Sequence, residues 1–257
     1  MTGFIVPPGY VALSEPGVEG AALATLEMPL RAALAEGTFY EFAEHHAQAR
    51  PLTGRGIAYA MPLSSGDRVV VRRSRHGGLL GSIRDDRFLG ATRAPRELEI
   101  SLSLRRLGVA TPEIVAYATY PAGPMFRRGD VVSREVPRSR DLAAVLAALS
   151  RGDSRRPLIE ATGQLLASMS LARARHPDLN IKNVLLADNE FDGVEAYVLD
   201  VDRVWLDKAS AETVLEANLR RLSRSALKWR RVHALPIEEA DLLAIESTAR
   251  ELITLGQ

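Results

Sequence analysis

The sequence predicts an α/β (α+β) chain in two lobes, a β-rich N-terminal one over residues 1–136 and a mainly helical one over residues 137–257. Three observations predict it. β-branched runs bounded by turn residues concentrate before Val136, and apolar residues at helical spacing concentrate after Arg140. In the second half, two short apolar runs each adjoin acidic residues.

Taken in order, Gly20 to Ala35 is rich in Ala and Leu and reads as a helix, and Thr38 to Ala49 as a second one ended by Pro51. Gly54-Arg55-Gly56 precedes a strand over Ile57 to Pro62. Ser64 to Asp67 has turn composition and Val69-Val70-Val71 is a β-branched run, so the two strands form a hairpin. Gly77-Gly78 breaks the chain afterwards. Pro95 to Leu107 carries Leu98, Leu102 and Leu104 on an apolar helical face that Gly108 stops. Thr111-Pro112 opens an extended stretch through Tyr120, and Asp130 to Val136 reads as a strand. The lobe boundary falls near Val136 to Arg140. Asp141 to Leu149 is a short helix, and Pro157 suits the first position of the next. Leu158, Thr162, Leu165, Leu166 and Met169 keep that helix's spacing up to His176-Pro177. Val184 to Leu186 and Tyr197 to Leu199 are strands around an Asp192-Gly193 turn, and the tail from Ala209 is helical.

With 33 basic and 32 acidic residues, net charge argues neither for nor against a nucleic-acid partner. Aromatic content is low and no aromatic stacking pattern accompanies the basic clusters, which argues against a single-stranded nucleic-acid platform. The absence of cysteine excludes disulfides, thiolate metal sites and a cysteine nucleophile, and suits the cytoplasm. Met1 to Gly9 lacks the basic start and apolar run of a signal peptide. No stretch reaches the roughly 20 apolar residues of a membrane span.

The chemistry gathers in two segments, His176-Pro-Asp178-Leu-Asn180-Ile-Lys182-Asn183 and Val198-Leu-Asp200-Val-Asp202-Arg203. Asn183 stands just before one predicted strand and Asp200 just after the other. If those strands pair, both side chains converge on one cation, and magnesium takes a few such oxygens together with nucleotide phosphates. Asp178 lies on the loop ahead of Asn183, where a carboxylate can accept a hydroxyl proton. A plainer reading makes Asp178 and Asn183 turn-formers; Asp200 at the matching place counts against it. For His176 the plainer reading, a brace for the loop, is preferred to direct chemistry. Asp202 stands evenly between a ligand and a structural hydrogen-bonding role.

The pair of segments resembles the catalytic loop H-R-D-x-x-x-x-N and the following D-F-G of protein kinases, with D-V-D in place of D-F-G. That resemblance implies ATP and Mg2+ as cofactors, Asp178 as catalytic base, and Asn183 and Asp200 as metal ligands. It places Arg72 where a strand lysine binds phosphate and Glu97 where that residue's ion-pair partner sits. Gly54 and Gly56 stand as a short phosphate-covering turn, and Asn180 completes the nucleotide-binding set. Finer text narrows the family. Val69 to Gly81, Arg93 to Glu99, both acidic segments and Asn218 to Lys228 resemble the bacterial 3-deoxy-D-manno-octulosonic acid (Kdo) kinases, within the lipopolysaccharide kinases. This branch implies a two-lobed protein-kinase-like fold, an arginine at the strand position, and D-F-D in place of D-F-G. Ser170 and Ser74 depart from its usual His and aromatic.

The resemblance implies an acceptor sugar, Kdo on a lipid A precursor, at the cytoplasmic face of the inner membrane. Two basic clusters, Arg72 to Arg96 and Arg220 to Arg231, read either as solvated faces or as surfaces for an anionic glycolipid and lipid headgroups. A heptose or other sugar kinase of the same group is the alternative acceptor class. A protein kinase ranks low, because only 55 residues follow Asp202 and they contain no A-P-E segment. A non-catalytic kinase-like scaffold is the alternative from another class.

Overall fold

The computed structural model describes residues 6–53, 56–74, 87–150, 152–189 and 193–256. The chain forms two compact units, one from residues 1–99 and 113–135 and the other from 100–112 and 136–257.

The first unit carries β1 (Tyr10–Glu15), β2 (Val18–Leu23), α1 (Glu27–Ala35), α2 (Phe39–His45), β3 (Arg50–Thr53), β4 (Ile57–Pro62), β5 (Arg68–Arg73), β6 (Phe88–Leu89), the start of α3 (Ala94–Arg106), β7 (Ile114–Pro121) and β8 (Phe126–Arg134). They build one sheet in the order β1-β2-β7-β8-β5-β4-β3, with β6 paired to β8. The expected hairpin of β4 and β5 is present, with Met61 opposite Val69.

Two expectations fail here. Gly20 to Leu23 is strand and not the start of a helix. Its small residues lie against β7, Ala21 facing Tyr117, and a Cβ on Gly20 would collide with the Tyr117 carbonyl. Pairing overrides the helical preference of alanine at such a site. The second predicted helix stops at His45, and residues up to Pro51 include the start of β3 instead. Proline lacks an N–H to donate, and β3 is an edge strand, where that lack is tolerated. Thr38 and Glu41 start α2 with a reciprocal capping box.

Side-chain alternation along β5 decides what each face does. Val69 and Val71 are buried in a core shared with Leu30 and Leu34 of α1 and Phe39 and Ala43 of α2. Arg73 follows on that face, its guanidinium 4.1 Å from the centre of the Tyr40 ring. Arg72 therefore projects from the opposite face.

The second unit takes the rest of α3, then β9 (Ser139–Asp141), α4 (Leu142–Ala148), α5 (Arg156–Leu171), β10 (Ala174–Arg175), β11 (Val184–Asp188), β12 (Val194–Val198), β13 (Trp205–Leu206), α6 (Ala211–His233) and α7 (Glu239–Leu255). Asp141 caps α4 by accepting from the Ala144 N–H at 2.8 Å. Leu165, Leu166 and Met169 of α5 share one core with Ile245, Ala249 and Ile253 of α7. Gly163 makes that crossing close, since a Cβ there would lie 2.7 Å from the Thr248 side chain. β11 pairs antiparallel with both β12 and β9, and β10 pairs with β13.

Candidate active site

Residues 176–183 form the loop between β10 and β11, and backbone carbonyls anchor it. The Asp178 carbonyl accepts from the side-chain amides of Asn180 at 2.9 Å and Asn183 at 3.0 Å. The Asn180 carbonyl accepts from the Asn183 N–H at 2.9 Å. Leu179 and Ile181 point into the core and are essentially inaccessible, while Asp178 between His176 and Leu179 stays partly exposed. The alternation is local: apolar side chains pin the loop from below, and the carboxylate is left at the surface.

His176 is the brace. Its Nδ1 accepts the Asp178 N–H at 3.1 Å and its Nε2 donates to the Leu199 carbonyl at 3.1 Å, the tautomer those two partners require. Burial pushes its pKa down, against smaller opposing contributions from the Leu199 carbonyl and Asp200. The ring is thus neutral, and it ties the Asp178 backbone to the segment carrying Asp200. The preferred sequence reading of His176, a loop brace, is the arrangement found.

β11 and β12 pair with Val184 opposite Val198, and the Leu199 N–H donates to the Asn183 carbonyl at 2.9 Å. Register therefore brings Asn183 and Asp200 to the same end of the hairpin. Asn183 is buried and Asp200 exposed. The amide nitrogen of Asn183 is committed to the Asp178 carbonyl, so Oδ1 is the atom with which it could hold a cation. Asp200 has φ 57° and ψ 46°, a left-handed conformation unfavourable for a residue with a side chain. Among the described residues no group of three or more His, Asp or Glu converges as a self-sufficient metal cage. Two oxygen-bearing side chains at one hairpin end match instead an ion that completes its shell with phosphates and water.

The other expected residues are placed as follows. Asn180 spends both ends of its amide within the loop, donating to the Asp178 carbonyl and accepting from the Lys182 N–H at 2.9 Å. Asp202 lies half-exposed in a single 3-10 turn, Val201–Arg203. In the first unit Arg72 forms an ion pair with Glu97, whose side chain is 5% exposed. A carboxylate buried to that degree needs such a partner. Gly56 sits at the bend leading into β4, whereas Gly54, Gly77-Gly78 and Asp192 lie outside the described residues. Ser74 is buried and its N–H continues the β5–β8 ladder to the Gly129 carbonyl at 2.7 Å; Ser170 turns its hydroxyl back to the Leu166 carbonyl at 2.6 Å.

Sequence reasoning assigned no role to Asn218. This fully buried residue of α6 accepts the His176 N–H and donates to the Ala174 carbonyl, each at 3.0 Å. Its signal was a polar side chain on the apolar face of Val214, Leu215, Leu219 and Leu222, where an amide must find partners. Ser225 and Trp229 extend the same contact: the Ile181 N–H reaches the Ser225 hydroxyl at 3.4 Å, and Lys182 Nζ lies 5.5 Å from the Trp229 ring centre.

The solved structure described as WaaP in complex with acyl carrier protein matches this fold with a TM-score of 0.55, covering 88% of this chain and 90% of that one at 20% identity. The likeness is one of fold. Residues 44–248 match the lipopolysaccharide kinase (Kdo/WaaP) family, and the chain belongs to it. It is 30% identical over 177 residues to a 3-deoxy-D-manno-octulosonic acid kinase of Vibrio cholerae, covering 67% of this chain and 71% of the relative. It is 34% identical over 192 residues to the enzyme of the same name from Xanthomonas oryzae pv. oryzae, covering 71% and 72%.

Proposed function

We propose that the protein transfers the γ-phosphoryl group of ATP, with magnesium, to a hydroxyl of Kdo carried on a lipid A precursor. The observation that carries the reading is the hairpin register that brings Asn183 and Asp200 to one end, beside a loop that leaves Asp178 partly exposed. Mg·ATP supplies the transferable phosphoryl group and the cation that offsets its charge. Asp178 orients the acceptor hydroxyl and takes its proton, while His176 and the two amides on its carbonyl hold its backbone still. Asn183 Oδ1 and the Asp200 carboxylate are the magnesium ligands. Arg72 meets nucleotide phosphate, kept in place by Glu97. Gly54 and Gly56 cover phosphate from the β3–β4 connection. Asn180, with both amide ends engaged, serves the nucleotide by shaping the loop.

The relatives' names support Kdo as the acceptor sugar; with that sugar on a lipid, the enzyme works as a peripheral protein at the cytoplasmic face of the inner membrane. Among the described residues no helix is long and apolar enough to cross a membrane. The test is transfer of labelled phosphate from ATP to detergent-dispersed lipid A precursors with and without Kdo, and to heptose-bearing core. Labelling of the Kdo-bearing precursor alone is expected. Equal labelling with and without Kdo, or labelling of heptose-bearing core alone, overturns the acceptor. No turnover on any of them moves the reading to a non-catalytic scaffold.

A further inference from the structure

α6 has a second face. Asn218, Ser225 and Trp229 hold the loop of Asp178. Between about 60° and 160° around the axis from that face the helix presents Arg220, Arg221, Arg224, Lys228 and Arg231, all exposed. Among the described residues none of these five has a carboxylate within ion-pair distance, whereas neighbouring Arg230 has Glu239 at 3.6 Å. Cations elsewhere on the surface are commonly paired, as Arg68 with Glu135 at 2.6 Å and Arg250 with Glu246 at 2.8 Å. The unpaired stretch runs about 16 Å along the axis. Two aliphatic side chains stand out of the same stretch, Leu227 36% and Val232 58% exposed. From Leu219 to the end of the helix there is no acidic residue.

We propose that this face is the surface by which the enzyme docks on an anionic phospholipid leaflet, with its catalytic loop carried on the same helix. The proposal rests on the reading of the acceptor as lipid-borne. Cations left unpaired suit a surface of phosphate headgroups, which offers no fixed partner to match. Leu227 and Val232, about 140° apart around the axis, lie one at either edge of the cationic face, where each can meet the headgroup boundary. Because Ser225 and Trp229 contact Ile181 and Lys182, seating the helix on the leaflet also fixes the height of the catalytic loop above it.

The experiment is flotation of the intact protein with vesicles of phosphatidylcholine alone or with an equal share of phosphatidylglycerol. The wild type is expected to float only with the anionic vesicles and to leave them in high salt. The triple variant Arg221→Gln, Arg224→Gln, Lys228→Gln is expected to bind them about a hundredfold more weakly, at roughly fivefold for each cation removed. Arg156→Gln, an exposed arginine on α5, is expected to float as the wild type does. Wild-type flotation of the triple variant, or no preference of the wild type for anionic vesicles, overturns the proposal. So does binding to an acidic carrier protein in place of vesicles that the triple variant loses. Transfer to detergent-dispersed acceptor is measured alongside: its survival when flotation fails sinks the docking face alone, and its loss when flotation succeeds sinks the kinase reading alone.

Discussion

Asp178 is held through its main chain, which separates its chemistry from its structure. The His176 ring takes its N–H, two amides take its carbonyl, and its carboxylate is partly exposed. Asp178→Asn is therefore expected to melt within a degree or two of wild type while phosphate transfer falls by two or more orders of magnitude. Wild-type turnover in a folded variant would remove it from the role of base. His176 carries a pH signature. Burial holds its folded pKa below the ordinary histidine value of about 6.5, so the unfolded chain binds more protons in the window between the two. Its contribution to stability is complete above about pH 6.5 and is lost as pH falls through the folded pKa. His176→Gln should lose roughly 1–3 kcal/mol at pH 8 and show a shallower acid decline than wild type in pH-resolved urea melts. Arg72→Ala and Glu97→Ala should each weaken ATP use, and the double variant should cost less than their sum; strict additivity would contradict the ion pair. At this scale the sequence was legible where chemistry demands a residue type at a spacing, as for Asp178, Asn183 and Asp200. Asn218 was not, because its partners are main-chain atoms 42 and 44 residues away.

The hairpin of β11 and β12 turns two separated sequence segments into one hairpin end. Its apolar runs were readable, as was its direction, since a short connection forces antiparallel pairing. The left-handed backbone of Asp200 was not readable, for nothing in V-L-D-V-D marks it. Asparagine tolerates that conformation, so Asp200→Asn should fold normally yet lose most of the magnesium-dependent rise in melting temperature that ATP produces in wild type. A full rise in the variant would refute the metal assignment. α2 offers a second case. Asp130 of β8 accepts the Tyr40 N–H at 3.0 Å, and Tyr120 accepts the Phe39 N–H at 3.0 Å, so the sheet caps the helix from beneath. Burial pushes Asp130 up to about 7. Here the folded state binds more protons, so stability falls as pH rises toward 7. Asp130→Asn should flatten that part of the profile, opposite in sign to the His176 effect; an unchanged profile would show that the group titrates normally. The short strands β9, β10 and β13 escaped the sequence because two or three residues carry no period to detect.

For the whole molecule, periodicity located the helices from Ala94 to Leu255 well and the first 50 residues poorly. Those early residues owe their conformation to β7 and to the face of β5, partners that come later in the chain. The family match begins at residue 44, whereas the sheet it describes is completed by β1 and β2, and Val69 and Val71 are covered by α1 and α2. Gene segments trimmed to the region shared with relatives would leave one flank of β7 without its neighbour and a greasy sheet surface in water, the conditions for precipitation. What is inherited in common is thus smaller than what must be made together, and homologous boundaries are the wrong place to cut this gene.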